Sequence, residues 1–431
     1  MIQEYSAITD SVKLHSVQTN KFKTGILSFT VTMPMSRLDS PYSLILSKIL
    51  EKNTKSYPSR LALSRRIDDL YVSSTDIRRI GFGKNMILSA SAEMLDERYC
   101  KNGAAVTKDI CELLKEFILS PVFDEDGFFP EEAFEHAKHY SSNALKAIIN
   151  NPGAYASLRL YELLKRNEPD NLSFEETIAE VENCDRFTLT EFYKENIASR
   201  PIDVYYVGSL SHEYLADKLL CVLGKHRATK KDSVVPLCAN NEPREIIRKN
   251  ETMPISQARL AIGFRTNINM GDKDYPAALL FDELFGGSPA SKLFMNVRER
   301  QSLCYSCGSN YSSTTGTLFA TAGISPKNRK ITEETILAEL ENIKAGKITN
   351  KEFSSSKNSL LNSIRETYDN PTEILEYYLY SNTAGIKLTL DEYTNAVSLV
   401  NKDDVVRVAK SAVLDCIYFL SSQDGSEVKG E

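Results

Sequence analysis

The chain has 431 residues, 42% of them hydrophobic and 26% charged, with a formal net charge of −6 at pH 7. That length exceeds what one ordinary core holds, so two or three domains are expected. The acidic balance argues against a nucleic-acid binder, which needs a basic face, and no apolar run is long enough to span a membrane.

The first residues lack a basic start followed by an apolar stretch, so no secretory signal is read there. Eight cysteines are scattered along the chain, Cys238 among them. Only Cys304 and Cys307 have C-x-x-C spacing, and a zinc ribbon needs a second such pair. Free thiols in a reducing, cytoplasmic setting are the expectation.

In chain order, residues 26–33 (ILSFTVTM) alternate like a half-buried strand, and Asp39-Ser40-Pro41-Tyr42 opens an apolar helix ending near Leu50. Residues 59–74 (SRLALSRRIDDLYVSS) follow, then a strand at 86–92. Thr188-Leu-Thr-Glu191 reads as a capping box, leading through a helix to the strand DVYYVG at 203–208. Residues 226–254 are polar, hold three prolines and read as a linker.

The same series then recurs. Residues 258–266 (ARLAIGFRT) are a strand, and Asp272-Lys273-Asp274-Tyr275 opens a helix. Tyr42 and Tyr275 are 233 residues apart, as are Asp39 and Asp272. Residues 291–308 (SKLFMNVRERQSLCYSCG) match 59–74, and 317–323 match 86–92. Helical spacing at Ile336, Leu340 and Ile343 ends at Gly346, and Thr349-x-x-Glu352 caps the next helix. Asn401-Lys-Asp-Asp404 answers Thr188–Glu191, and Tyr418 answers Tyr205, both at an offset of 213. The fall from 233 to 213 puts about 20 extra residues in the first half, between its middle strand and its last helix. Repeats of this length are duplicated domains, since solenoid periods run only to about 50 residues. The fold class is therefore α+β, with two homologous domains at 1–225 and 255–431 joined by the 226–254 linker. Each is expected to be a mainly antiparallel sheet with helices packed on one face.

The segment GGSPASKLFMNVRERQSLCYSCGS resembles the second-half signature of the insulinase/pitrilysin zinc-peptidase superfamily. There a glycine-bearing loop and S-[RK]-L-[FY] precede an arginine and a tyrosine that line the peptide site; here those are Arg298 and Tyr305. The likeness covers nearly the whole chain and is strongest to a bacterial, zinc-less branch. That branch shows F-x-x-E-x-x-x-x-x-K (Phe129 to Lys138), Y-A-x-x-R (Tyr155 to Arg159) and G-x-R-T (Gly263 to Thr266). The resemblance implies two halves closing like a clamshell over extended peptides.

Active members carry H-x-x-E-H on the first long helix, two histidines for zinc and a glutamate for the attacking water. The corresponding residues here are Leu44, Ser47 and Lys48, and the third ligand position falls near Asn143 or Ala144. Leucine has no donor, a protonated lysine repels a cation, and serine is no carboxylate base, so no zinc cofactor is expected. His136 and His139, with Glu132 and Glu135 at i,i+4 spacing, could form a makeshift metal cluster or simply a solvated charged face. Other motifs are weak: Gly81-Phe-Gly-Lys84 lacks the phosphate-loop span, and Gly286-Gly287-Ser288 lacks nucleophile-elbow spacing. The resemblance implies a peptide-binding or scaffolding subunit that pairs with an active zinc-peptidase homologue, as in the mitochondrial processing peptidase, or with itself. The alternatives are a zinc endopeptidase with unconventional ligands and a purely structural subunit.

Overall fold

A computed structural model describes residues 1–101, 105–168, 170–231, 234–237 and 245–422. Cys238 and Pro243, part of the expected linker, lie outside the described residues.

The described residues form two sheets. The first holds β1 (Ile2–Thr9), β2 (Val12–Gln18), β3 (Thr24–Pro34), β4 (Val72–Phe82), β5 (Asn85–Leu95) and β6 (Ile202–Gly208), in the order β1-β2-β6-β3-β5-β4. The second holds β7 (Ile247–Thr252), β8 (Ala258–Arg265), β9 (Cys304–Ser312), β10 (Thr317–Ile324) and β11 (Val413–Ser421), in the order β7-β11-β8-β10-β9. One pair in each is parallel, β2 with β6 and β7 with β11; the rest are antiparallel. Strand for strand, β2-β6-β3-β5-β4 has the order and polarity of β7-β11-β8-β10-β9, so the duplication read from residue offsets is a duplication of topology. Strand β1 is an addition of the first half.

The helices, in chain order, are α1 (Asp39–Leu50), α2 (Arg60–Asp69), α3 (Thr107–Leu119), α4 (Glu131–Lys146), α5 (Pro152–Leu164), α6 (Phe174–Asn183), α7 (Arg186–Tyr193) and α8 (His212–Leu223). There follow α9 (Tyr275–Asp282), α10 (Arg329–Lys344), α11 (Asn350–Thr367), α12 (Pro371–Thr383), α13 (Leu390–Leu399) and α14 (Lys402–Ser411). None of the described helices is long and apolar enough to cross a membrane. The boxes at Thr349–Glu352 and Asn401–Asp404 form as read, and Gly346 takes φ +74° just past α10. Thr188 does not cap α7. The cap is Asp185, whose carboxylate accepts from the Thr188 amide at 2.8 Å, so the helix starts one turn earlier. An acidic cap also meets the positive end of the helix dipole.

Two compact units divide the chain, and each takes in a helix from the other half of the sequence. The first joins Met1–Leu145 and Glu175–Val235 with Thr367–Thr383; the second joins Lys146–Phe174 with Pro236–Glu366 and Ala384–Glu431. In the first unit, alternate residues of β3 (Leu27, Phe29, Val31, Met33) enter one apolar core with Ile45, Ile49, Leu114 and Leu215. The other sheet face is small and polar, with Ser28 and Ser89 hydrogen-bonded at 2.8 Å, and α12 packs against this sheet at β3 and β6. There Arg78 meets Glu376 at 3.0 Å and Phe82 stacks on Tyr380.

In the second unit Ala258, Leu260, Ile262 and Phe264 of β8 enter a core with α9, α10 and α14, and α5 packs on β8 and β11. A Cβ at Gly263 would lie 3.1 Å from the Leu164 side chain, so glycine sets how closely α5 approaches. Both exchanged helices begin at Asn-Pro, Asn151-Pro152 and Asn370-Pro371, where the asparagine caps the first turn and proline fixes its φ.

Candidate functional site

Arg298 and Tyr305 lie in the second unit, at one end of the edge strand β9. Leu293–Arg300 is a π-helical segment and positions Arg298. Its guanidinium lies over the Phe294 ring, 4.5 Å from the centroid, and its only ion pair among the described residues is with neighbouring Glu299 at 3.5 Å. After this segment Ser302 takes φ +51°, and the chain turns into β9. Opposite Cys304 and Ser306 stand the adjacent residues Ile324 and Gly323, so Tyr305 is the extra residue of a β-bulge. Bulges re-aim side chains, and Tyr305 is 72% exposed. The same bulge recurs in β4, where Ser73 is the unpaired residue between Val72 and Ser74. Only the second unit places a phenol there.

The bulge also explains the cysteine pair. With one extra residue between them, Cys304 and Cys307 turn toward the same apolar core. A hydrogen bond from Cys307 holds the Cys304 thiol below its ordinary range against burial, helped by the nearby Arg298 charge, and Cys307 is pushed up. The glycine loop packs against the same strand: a Cβ on Gly286 would come within 2.5 Å of the Ser309 amide nitrogen. Behind it, burial raises the Asp282 carboxyl to about 6, even though Ser309 Oγ donates to it at 2.5 Å. The outer edge of β9 pairs with no described strand; the Tyr311 amide is taken by the Asp282 carboxylate, and the Tyr305 end of an edge of this kind can take an extended segment.

In the first unit, Leu44, Ser47 and Lys48 sit on α1. Leu44 packs on the core, and the buried Ser47 hydroxyl donates to the Leu44 carbonyl at 2.9 Å. Lys48 Nζ donates to Glu51 at 2.8 Å, which holds the ammonium above its ordinary value, and it lies 5.6 Å from the Tyr140 ring of α4. Asn143 and Ala144 are one helical turn beyond Tyr140. A zinc ion does not fit this set: a carbon side chain, an internally bonded hydroxyl and a fixed cation offer no ligand. His136 and His139 also lie on α4. His139 Nε2 is hydrogen-bonded to Asn143 Nδ2 at 2.9 Å, and no group of three His, Cys, Asp or Glu residues placed to hold a metal occurs among the described residues.

The remaining motifs hold helices in place. Tyr155 and Arg159 project from α5 onto Glu251, at 3.1 and 2.8 Å, where Tyr418 and Lys249 also meet it. Burial pushes Glu251 up, but Arg159 and these partners pull it down to about 2. In the G-x-R-T stretch Arg265 donates to Asp415 at 2.8 Å and to the last carbonyl of α5, and Thr266 bonds Tyr311. Lys138 donates to the Cys184 carbonyl at 2.9 Å, and Phe129 is fully buried.

Residues 183–360 match the family model described as the peptidase M16 inactive domain. The probable inactive metalloprotease YmfF of Bacillus subtilis (strain 168) is 27% identical over 431 residues, 99% of each chain. The chain is thus similar to the peptidase M16 inactive domain over residues 183–360, and to YmfF over nearly its whole length. The crystal structure of a conserved protein from Enterococcus faecalis V583 shares 27% identity and superposes with a TM-score of 0.87, covering 98% of this chain and 99% of that one. A second relative, the uncharacterized zinc protease YmxG of Bacillus subtilis (strain 168), is 30% identical over 169 residues, 38% of this chain and 40% of that protein. The insulinase/pitrilysin resemblance and the two-unit α+β fold therefore hold over the length of the chain.

Proposed function

We propose that this M16 homologue is the non-catalytic, peptide-binding subunit of a pair whose other member is an active zinc peptidase of the same superfamily. One contrast carries the reading. At the zinc-helix positions Leu44, Ser47 and Lys48 supply no ligand and no base, yet Arg298 and Tyr305 are retained beside the edge strand β9 and are little engaged by the rest of the chain. A guanidinium offers donors only, and a phenol adds one more, which suits the carbonyl oxygens of an extended peptide whatever its side chains. Peptide addition to a sheet edge draws affinity from main-chain hydrogen bonds and so tolerates varied sequences. Pairing is favoured over self-association because one organism holds both an inactive relative of this chain and a zinc-protease relative. The seven described cysteines are free, which fits a cytoplasmic setting. The test is affinity purification of the tagged chain from its native cell. Co-purification of a homologue bearing H-x-x-E-H at near-equal amount is the expected result; recovery of the chain alone, as a homodimer or monomer, would refute the pairing.

A further inference from the structure

A second feature of the same sheet is unexplained by peptide main-chain binding. On β8 the core-facing residues alternate with Arg259, Ala261 and Gly263, which face the opposite way. Under the first turns of α5 this face leaves a cavity of about 200 Å³ lined by Gly153, Ser157, Arg259, Ser306, Thr321 and Gly323. Arg259 is the only charged residue in its lining. Its Nε is buried without a hydrogen-bond partner, and the guanidinium makes no ion pair among the described residues. Glycine at 323 is what admits it, since a Cβ there would lie 2.5 Å from Arg259 Nη1 and 2.9 Å from Ser306 Oγ.

A buried guanidinium N–H with no acceptor among the described residues is completed by water or by a ligand acceptor, and in a cavity whose one charged residue is an arginine an anion is the ligand favoured. The planar donor fork of arginine matches a carboxylate in two-pronged geometry. One positive charge with no second cation suits a singly charged carboxylate better than a phosphate dianion. The hydroxyls of Ser157, Ser306 and Thr321 can donate to the same oxygens. The volume lies below the roughly 300–1,000 Å³ of pockets for drug-sized ligands, so it admits one side chain or a terminal residue. Ser306 is next to Tyr305 on β9, which ties the cavity to the strand that receives the peptide.

We propose that Arg259 and the hydroxyls around it form a carboxylate-binding subsite, which selects peptides by an acidic side chain or by the C-terminal carboxylate. This rests on the peptide-binding reading above. The test uses the full chain and three fluorescent peptides of one extended sequence: a free C-terminus without acidic residues, an amidated C-terminus with one internal Glu, and an amidated C-terminus with Gln in its place. At least one of the first two should bind tenfold or more tighter than the third, and which one does so identifies the source of the carboxylate. Arg259→Met should abolish that preference while leaving binding of the neutral peptide in place, whereas Arg298→Ala should weaken all three alike. If Arg259→Met does not fold, Arg259→Lys keeps the charge but not the fork and should cut the preference at least threefold. Equal binding of the three peptides, or a preference that survives these changes, would overturn the subsite alone. Failure of the unaltered chain to bind any of them would overturn the peptide-binding reading and the subsite with it.

Discussion

The guanidinium of Arg298 rests on a ring, and its one ion pair among the described residues is with an exposed neighbouring glutamate, a pair of little energetic weight. Tyr305 stands out from its bulge. Neither residue is needed to hold the sheet, so their loss should register in binding rather than in folding. A hydrogen bond from a charged group contributes about 1.5–3 kcal/mol. Arg298→Ala should therefore weaken peptide affinity at least about tenfold with little change in melting temperature, and Tyr305→Phe should do less because only the hydroxyl goes. Titration of a labelled peptide beside a thermal melt of each variant checks both. Asp282 behaves in the opposite sense. Its carboxyl is raised to about 6 by burial, so its favourable neutral form is fully present below about pH 4 and is lost as pH rises through 6. Asp282→Asn should gain up to about 3 kcal/mol at pH 8 and almost nothing at pH 4, measured by denaturant unfolding at the two values. The sequence pointed to Arg298 and Tyr305 through a motif. It gave no sign of Asp282 or Arg259, because desolvation and an empty partner position are properties of the folded surroundings. The alternation of β8 did place Arg259 on the face away from the core, and that was the one available hint.

At the scale of elements, most strands and helices are legible from period and capping. The strands read at 26–33, 86–92, 203–208, 258–266 and 317–323 all form, with bounds moved by a few residues at most. Asp185 was missed as a cap because Thr188 and Glu191 also satisfy the local pattern, and only the packed helix decides which of two adjacent caps is used. The reciprocal placement of α5 and α12 was not legible at all. Tyr155 and Arg159 were visible as a motif, but their partner Glu251 is more than ninety residues away in the chain, and no local signal joins them. That cluster fixes α5, so Glu251→Ala takes from Arg159, whose side chain is 7% exposed, one carboxylate partner and leaves Glu162 as another. Loss of one member of a buried pair costs about 3–5 kcal/mol, and the second partner should hold the loss nearer 2 kcal/mol. Hydrogen exchange should quicken through residues 152–164 in that variant. The Glu251 carboxylate, depressed to about 2, supplies stability present above about pH 4.5 and lost as pH falls toward 2. Acidification should therefore abolish the exchange difference between Glu251→Ala and the parent chain.

Over the whole molecule, offsets shared by neighbouring pairs, 233 at Asp39/Asp272 and Tyr42/Tyr275 and 213 at Thr188/Asn401 and Tyr205/Tyr418, are what made the duplication readable, because a shared strand order preserves chain distance wherever no segment is inserted. The expectation that Leu44, Ser47 and Lys48 hold no zinc rests on a different ground: ligand chemistry depends on residue type at fixed helical spacing. The same expectation extends beyond α1. Lys48 packs near Tyr140 of α4, and the next turn of α4, Ser141 to Ala144, holds no carboxylate or imidazole. Leu44→His, Ser47→Glu and Lys48→His together should therefore give neither stoichiometric zinc by metal analysis nor peptide cleavage, and full activity from those three changes would mean that the third ligand lies elsewhere. The most direct measurement is one titration of the unaltered, purified chain with a fluorescent unstructured peptide, followed by mass analysis of that peptide, with and without added zinc and chelator. Saturable binding with the peptide recovered intact under every condition is the expected result. Chelator-sensitive cleavage by this chain alone would contradict a non-catalytic, peptide-binding role.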